Sequence, residues 1–249
     1  MYNRLNRTLS ILLLLFLSFS SQAQFQWEMG SIIGVANYQG DFVEGNAPIF
    51  KESNFAFGVF ARYNMSFTTA IRGGMVVGKI TGNDLNATQA GRKIRGGSFS
   101  NVLKEISFSF EWEPLGAKRY LSSAGFKQLI SPYGFVGAGI VIMNPKIKYK
   151  DGGLDVLQER IRQDENADYF NTRFVIPFGF GVKMDLAELW SMSIELGMRY
   201  AFTDYLDGMS IAGTPENNDW YSYTGITVFH RLKNTRTSFQ MQSKKHVKK

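Results

Sequence analysis

Residues 190–203 change character at every step. Trp190, Met192, Ile194, Leu196, Met198, Tyr200 and Phe202 fall on one side. Ser191, Ser193, Glu195, Gly197, Arg199, Ala201 and Thr203, all small, polar or charged, fall on the other. A period of two belongs to a β-strand, because successive side chains point to opposite faces of a sheet. The length of the run constrains the fold further. Soluble strands usually run about 5–6 residues, whereas a tilted strand crossing a bilayer needs about 9–11.

The pattern recurs along the chain. In residues 55–66, Phe55, Phe57, Val59, Ala61, Tyr63 and Met65 oppose Ala56, Gly58, Phe60, Arg62, Asn64 and Ser66. In residues 170–184, Phe174, Ile176, Phe178, Phe180, Val182 and Met184 oppose Arg173, Val175, Pro177, Gly179, Gly181 and Lys183. Ile106, Phe108, Phe110 and Trp112 oppose Glu105, Ser107, Ser109, Glu111 and Glu113. Weaker versions at 25–38, 68–80, 132–144 and 220–232 bring the strand count to eight and leave their facing open. A soluble lipocalin-like barrel and a membrane barrel share this periodicity with opposite faces outward. The connections separate them. Tight turns at 66–67 and 186–189 and a medium link at 114–131 alternate with long polar segments at 39–54, 81–98, 145–168 and 204–219. With both chain ends in the periplasm, the long connections face outward and the shorter ones inward. The expectation is an all-β, eight-stranded antiparallel up-and-down transmembrane β-barrel with long extracellular loops. Trp27, Tyr63, Trp112, Trp190, Tyr200 and Phe202, near strand ends, fit its interfacial aromatic girdles.

The ends carry separate signals. Arg4 and Arg7 precede an apolar stretch at 9–19 and the small-residue site Ser21-Gln22-Ala23, so residues 1–23 read as a signal peptide. That stretch is short of the roughly 20 apolar residues of a spanning helix. The barrel is expected over 24–232, and 233–249 as a disordered basic tail on the periplasmic side. The formal charge of +7 does not imply nucleic acid as a partner. Arg4, Arg7 and the basic residues from Arg231 onward number nine, more than the whole excess. The absence of cysteine excludes disulfides, thiolate metal sites and a cysteine nucleophile, and two histidines leave little for a metal centre. No metal or other cofactor is expected.

Several local sequences resemble a known family. Gly34-Val35-Ala36-Asn37-Tyr38-Gln39-Gly40-Asp41 follows the first strand, and Asn101-Val102-Leu103-Lys104-Glu105-Ile106 opens the fourth. Ser131-Pro132-Tyr133-Gly134-Phe135 opens the fifth and Met143-Asn144-Pro145-Lys146 closes it. Residues 199–207, Arg-Tyr-Ala-Phe-Thr-Asp-Tyr-Leu-Asp, close the seventh. Their order and spacing resemble the PorG-like outer-membrane β-barrel family associated with the type IX secretion system, over roughly 27–232. The resemblance implies an integral outer-membrane subunit contacting a periplasmic ring of secretion-complex subunits. The basic extension after Leu232 departs from that family's pattern.

If the apolar faces meet lipid, Glu28, Arg62, Arg72, Glu105, Glu111, Arg173, Lys183, Glu195 and Arg199 point into the lumen. An eight-stranded barrel is just wide enough to be filled by side chains, so these charges read as a salt-bridged plug rather than a pore or a catalytic site. His230 lies at the periplasmic end of the last strand and His246 in the tail, which leaves the loops without a placed base and no catalytic residue to name. Gly137-x-Gly139 and Gly179-x-Gly181 sit inside strand patterns and read as relief of crowding, not nucleotide binding. Recognition would sit in the loops. Asn37, Tyr38 and Asp41 border the first; Arg92, Lys93 and Arg95 give the second a basic cluster; Asp204, Tyr205 and Asp207 edge the fourth. Lipopolysaccharide phosphates and protein surfaces are both fitting partners for such a basic cluster. Leu154, Leu157 and Ile161 in the third suggest a short amphipathic helix over the barrel mouth. Lys244, Lys245, Lys248 and Lys249 are candidates for docking on an acidic periplasmic surface. Two functions compete: a non-enzymatic secretion-machinery subunit, and a stand-alone barrel acting as a small-solute channel or a surface or lipid-binding protein.

Overall fold

The structure, a computed structural model, describes residues 27–40, 42, 52–86, 93, 96–119, 126–149, 155–167, 170–213 and 218–232. The signal-peptide segment, Asp41, Arg92, Arg95 and the tail with Lys244, Lys245, Lys248 and Lys249 lie outside the described residues.

The strands are β1 (Trp27–Gln39), β2 (Asn54–Asn64), β3 (Thr69–Asn83), β4 (Ser98–Trp112), β5 (Ile130–Ile142), the short β6 (Lys146–Lys148), β7 (Thr172–Asp185), β8 (Trp190–Ala201) and β9 (Trp220–Arg231). An α-helix, α1 (Asp155–Glu165), lies between β6 and β7. The eight long strands pair antiparallel in the order β3-β2-β1-β9-β8-β7-β5-β4, and β3 pairs with β4 to close the barrel. Closure leaves no free strand edge. Glu28 opposite Arg231 puts both barrel termini at one end.

The outside is apolar. Phe108 is 65% exposed, Phe180 63% and Ile194 62%, with Ile33, Phe57 and Ile226 in the same belt, while their sequence neighbours face inward. An alternation with its apolar face outward suits hydrocarbon rather than water. The four strands of unassigned facing resolve the same way. Glu28, Ala36 and Tyr38 of β1, Arg72 and Ile80 of β3, Ser131, Tyr133 and Phe135 of β5, and Tyr221, Tyr223, Phe229 and Arg231 of β9 are buried inside. β9 is ambiguous in sequence because its inward face, with Tyr221, Tyr223 and Phe229, is more aromatic than its outward face, with Trp220. Trp27 packs on Tyr63 at 5.1 Å and Trp190 on His230 at 4.8 Å at the terminal end. Tyr200 meets Phe202 at 5.0 Å and Trp220 at 4.8 Å at the other.

The turns follow from local chemistry. Ser66 Oγ accepts the backbone N–H of Thr68 at 3.1 Å and of Thr69 at 3.0 Å, which folds the β2–β3 turn. Two details depart from expectation. The β3–β4 ladder runs past the expected loop start, up to Asn83 opposite Ser98, because small polar residues that break the alternation still pair their backbones. A ninth strand, β6, adds to the loop end of β4 through Ser98–Lys148, Phe99–Ile147 and Ser100–Lys146.

Candidate functional site

The lumen is two plugs stacked end to end. The half nearer the termini is ionic. Glu111, 1% exposed, faces Arg62 Nε at 2.8 Å, Arg72 Nε at 3.2 Å and Lys183 Nζ at 3.1 Å. Arg62 and Arg72 stand directly opposite each other on β2 and β3, and the Glu111 carboxylate bridges this like-charged pair. Each arginine keeps a second partner, Glu28 at 2.6 Å for Arg62 and Glu195 at 2.5 Å for Arg72. Arg231 joins Glu28 to Asp185. Arg119 joins Asp185 to Glu113, at 2.7 Å each, and Glu113 returns to Lys183 at 3.1 Å. Higher in the lumen, Arg199 pairs with Glu105 at 3.1 Å, and the Tyr221 hydroxyl donates to the same carboxylate at 2.8 Å. Arg62, Arg72, Arg119, Lys183, Arg199 and Arg231 thus balance Glu28, Glu105, Glu111, Glu113, Asp185 and Glu195 one for one. Rings separate the layers: Phe229 lies 4.6 Å from Arg62 and Phe135 4.7 Å from Arg72. Glu113 sits just beyond β4; burial works against its ionisation, but the Lys183 and Arg119 cations win and hold its pKa down at about 2.

The half nearer the long loops is apolar. Phe42, Ile80, Phe99, Leu103, Met143, Leu206 and Met209 pack there, and Ile161 of α1 joins them. Asp164 of α1 accepts three consecutive backbone N–H groups from the β8–β9 loop, Ser210 at 3.2 Å, Ile211 at 3.0 Å and Ala212 at 2.8 Å. The Tyr38 hydroxyl lies 2.6 Å from both Asp207 Oδ2 and Asp219 Oδ1. Burial, then the nearby Asp207 charge, push the Asp219 carboxyl well above its usual range. Loop and helix are therefore tied into the barrel mouth.

Of the nine charges expected in the lumen, Glu28, Arg62, Arg72, Glu105, Glu111, Lys183, Glu195 and Arg199 share the ion pairs above. Arg173 stands apart. It lies near the loop end of β7, half-buried, with no ion pair among the described residues and its Nε unpartnered. Asp185, Arg231 and Glu113 were missed although each continues an inward series by one step of two, from Lys183, Phe229 and Glu111. Arg119 lies in a turn without periodicity and gave no signal. Asn37, Tyr38 and Asp207, expected at the loop borders as recognition residues, are buried instead: Asn37 donates to Ser53 Oγ at 2.8 Å, and the other two build the mouth. Asp204 and Tyr205 are half-buried, and Lys93 is exposed. The glycine pairs behave as spacers. A Cβ on Gly181 would lie 2.7 Å from the Tyr133 ring, and one on Gly137 2.0 Å from the Phe108 carbonyl. His230, the histidine among the described residues, makes an edge-on contact with Trp190 on the outer wall. Among the described residues no group of three or more His, Cys, Asp or Glu is placed to hold a metal.

Fold and lumen define a closed eight-stranded barrel of the outer-membrane type with a filled interior. The chain belongs to the family described as domain of unknown function (DUF6089), which matches residues 6–238. No curated protein sequence matches it. Among solved structures, Ail, the attachment invasion locus protein of Yersinia pestis, crystallised with the heparin analogue sucrose octasulfate, is 8% identical over 84% of this chain and 100% of its own, with a TM-score of 0.42. Neisserial surface protein A is 10% identical over 83% and 97%, TM-score 0.40. The outer-membrane enzyme PagL is 12% identical over 82% and 99%, TM-score 0.32. These likenesses are loose; the barrel rests on this chain's own strand register.

Proposed function

We propose that the protein is a non-enzymatic integral outer-membrane subunit that anchors partner proteins, with the periplasmic ring of a type IX-like secretion machinery as its partner. The observation that carries this reading is the filled lumen. An ionic plug at one end and an apolar plug at the other leave the barrel its outer wall, its loops and its periplasmic rim to act with. The apolar belt between aromatic girdles supports the membrane location, and residues 1–23 supply the export signal. The ordered motifs quoted above support the secretion partner. The lysines of the tail, Lys244, Lys245, Lys248 and Lys249, are the docking arm, held to an acidic surface by an attraction that salt screens over about 8 Å at physiological strength.

Affinity capture from detergent-solubilised envelopes tests this. The full chain should retain periplasmic secretion subunits, and truncation after Leu232 should weaken that retention, increasingly as salt is raised. Capture of no such subunit refutes the anchor reading. Equal retention across the salt series refutes the docking arm alone. The competing small-solute channel requires the ionic network to open, and measurable conductance in a planar bilayer at neutral pH would favour it.

A further inference from the structure

Every charged side chain in the eight long strands points inward except two. Lys79 of β3 and Lys104 of β4 stand on the outward face and are exposed. Their height is set by the register. Trp112, in the terminal-end girdle, pairs with Thr69, and Lys79 pairs with Val102, ten residues up β3. A tilted strand crosses the hydrocarbon in about 9–11 residues, so Lys79 emerges where the apolar layer ends. Lys104 lies two residues lower on β4, within reach of the same level by snorkelling. β6 continues the series. Lys146 and Lys148 are exposed opposite Ser100 and Ser98, while Ile147 between them turns inward against the apolar plug.

The four lysines therefore climb one sector of the wall from the edge of the belt, with Val102, Ser100 and Ser98 as the β4 side chains facing outward among them. None of the four forms an ion pair among the described residues. In sequence, the connection from β3 to β4 contains Arg92, Lys93 and Arg95 and has no acid at 87–97. A charge on the lipid face is costly near the bilayer centre and tolerated close to an interface, where an anionic headgroup turns it to advantage.

We propose that this sector binds the phosphate-bearing glucosamine headgroup of lipopolysaccharide, with Met75, Ile106 and Ile140 below it as the wall for acyl chains. The proposal rests on the outer-membrane reading above. The test compares the full-length wild type with a Lys79→Gln, Lys104→Gln, Lys146→Gln, Lys148→Gln variant. Both are titrated with fluorescent lipopolysaccharide and with the same lipid chemically dephosphorylated. Wild type should prefer the phosphorylated lipid, and affinity should fall about fivefold for each lysine removed. Lys146→Gln, Lys148→Gln alone, outside the barrel wall, carries the comparison if the fourfold variant fails to insert. Equal binding by variant and wild type overturns the proposal, as does equal binding of the dephosphorylated lipid. Full competition by millimolar inorganic phosphate assigns the site to the free ion and overturns the lipid assignment. A wild-type barrel that does not enter vesicles overturns the membrane reading itself; one that inserts without phosphate preference overturns only this surface.

Discussion

Glu111→Gln removes a single charge and almost no volume, and the ionic plug makes that one charge expensive. At an effective dielectric of about 20, a pair of charges some 3 Å apart attracts by about 5 kcal/mol. Glu111 has three such partners, Arg62, Arg72 and Lys183, at 2.8, 3.2 and 3.1 Å. Desolvation of each buried ion takes back several kcal/mol, so the net loss follows the experience of broken buried pairs, about 3–5 kcal/mol. Arg62 and Arg72, opposite each other in the register, would then repel across an uncharged amide. Urea unfolding of the vesicle-inserted barrel, followed by the fluorescence of Trp27, Trp112 and Trp190 at the lipid surface, reads the change. Adding Lys183→Met to Glu111→Gln restores charge balance, and the double variant should regain part of the loss; a double-mutant cycle isolates the coupling. A loss below about 1 kcal/mol for Glu111→Gln would falsify the view that this carboxylate holds the three cations together.

Other perturbations reach different parts of the molecule. Ile194→Arg on the belt should cost about 2–4 kcal/mol near the bilayer midplane, against about 1 kcal/mol for Ser193→Ala, whose hydroxyl lies 2.5 Å from Thr227 Oγ1 inside; the reverse order would mean that the faces are inverted. Glu113, held at about 2, contributes stability that is complete above its unfolded value near 4.5 and drains away as pH falls through 2, amounting to about 3 kcal/mol. A Glu113→Gln barrel should lack that acid limb, and identical pH profiles for the two proteins would contradict the assignment. Asp164→Ala should free the backbone amides of residues 210–212 to faster hydrogen exchange while heat-modifiable migration of the barrel persists, and unchanged protection would show that α1 does not hold the loop.

What could be read along the chain was whatever repeats along it. The alternation from Trp190 to Tyr200 marks a strand and its two faces because the period of two is built into the backbone, and the long and short connections order eight such strands into a barrel. The inward charges on β2, β4, β7 and β8 were legible for the same reason. Their partners were not. That Glu111 bridges two arginines opposed on β2 and β3, or that Arg72 reaches Glu195 across the lumen, depends on register and on the stagger of strands around the closed barrel, which no local pattern encodes. Tyr38 looked like a loop residue because the chain turns just after it, yet closure of the sheet carries its ring inside to Asp207 and Asp219. β6 is too short to show a period, so the outward direction of its lysines follows only from Ile147, which packs against the plug. Sequence determined the strands, their order and, where the alternation is strong, their faces, since these are local consequences of chirality and periodicity; tertiary structure decided the remaining faces and which charges meet, since those are properties of the closed sheet as a whole.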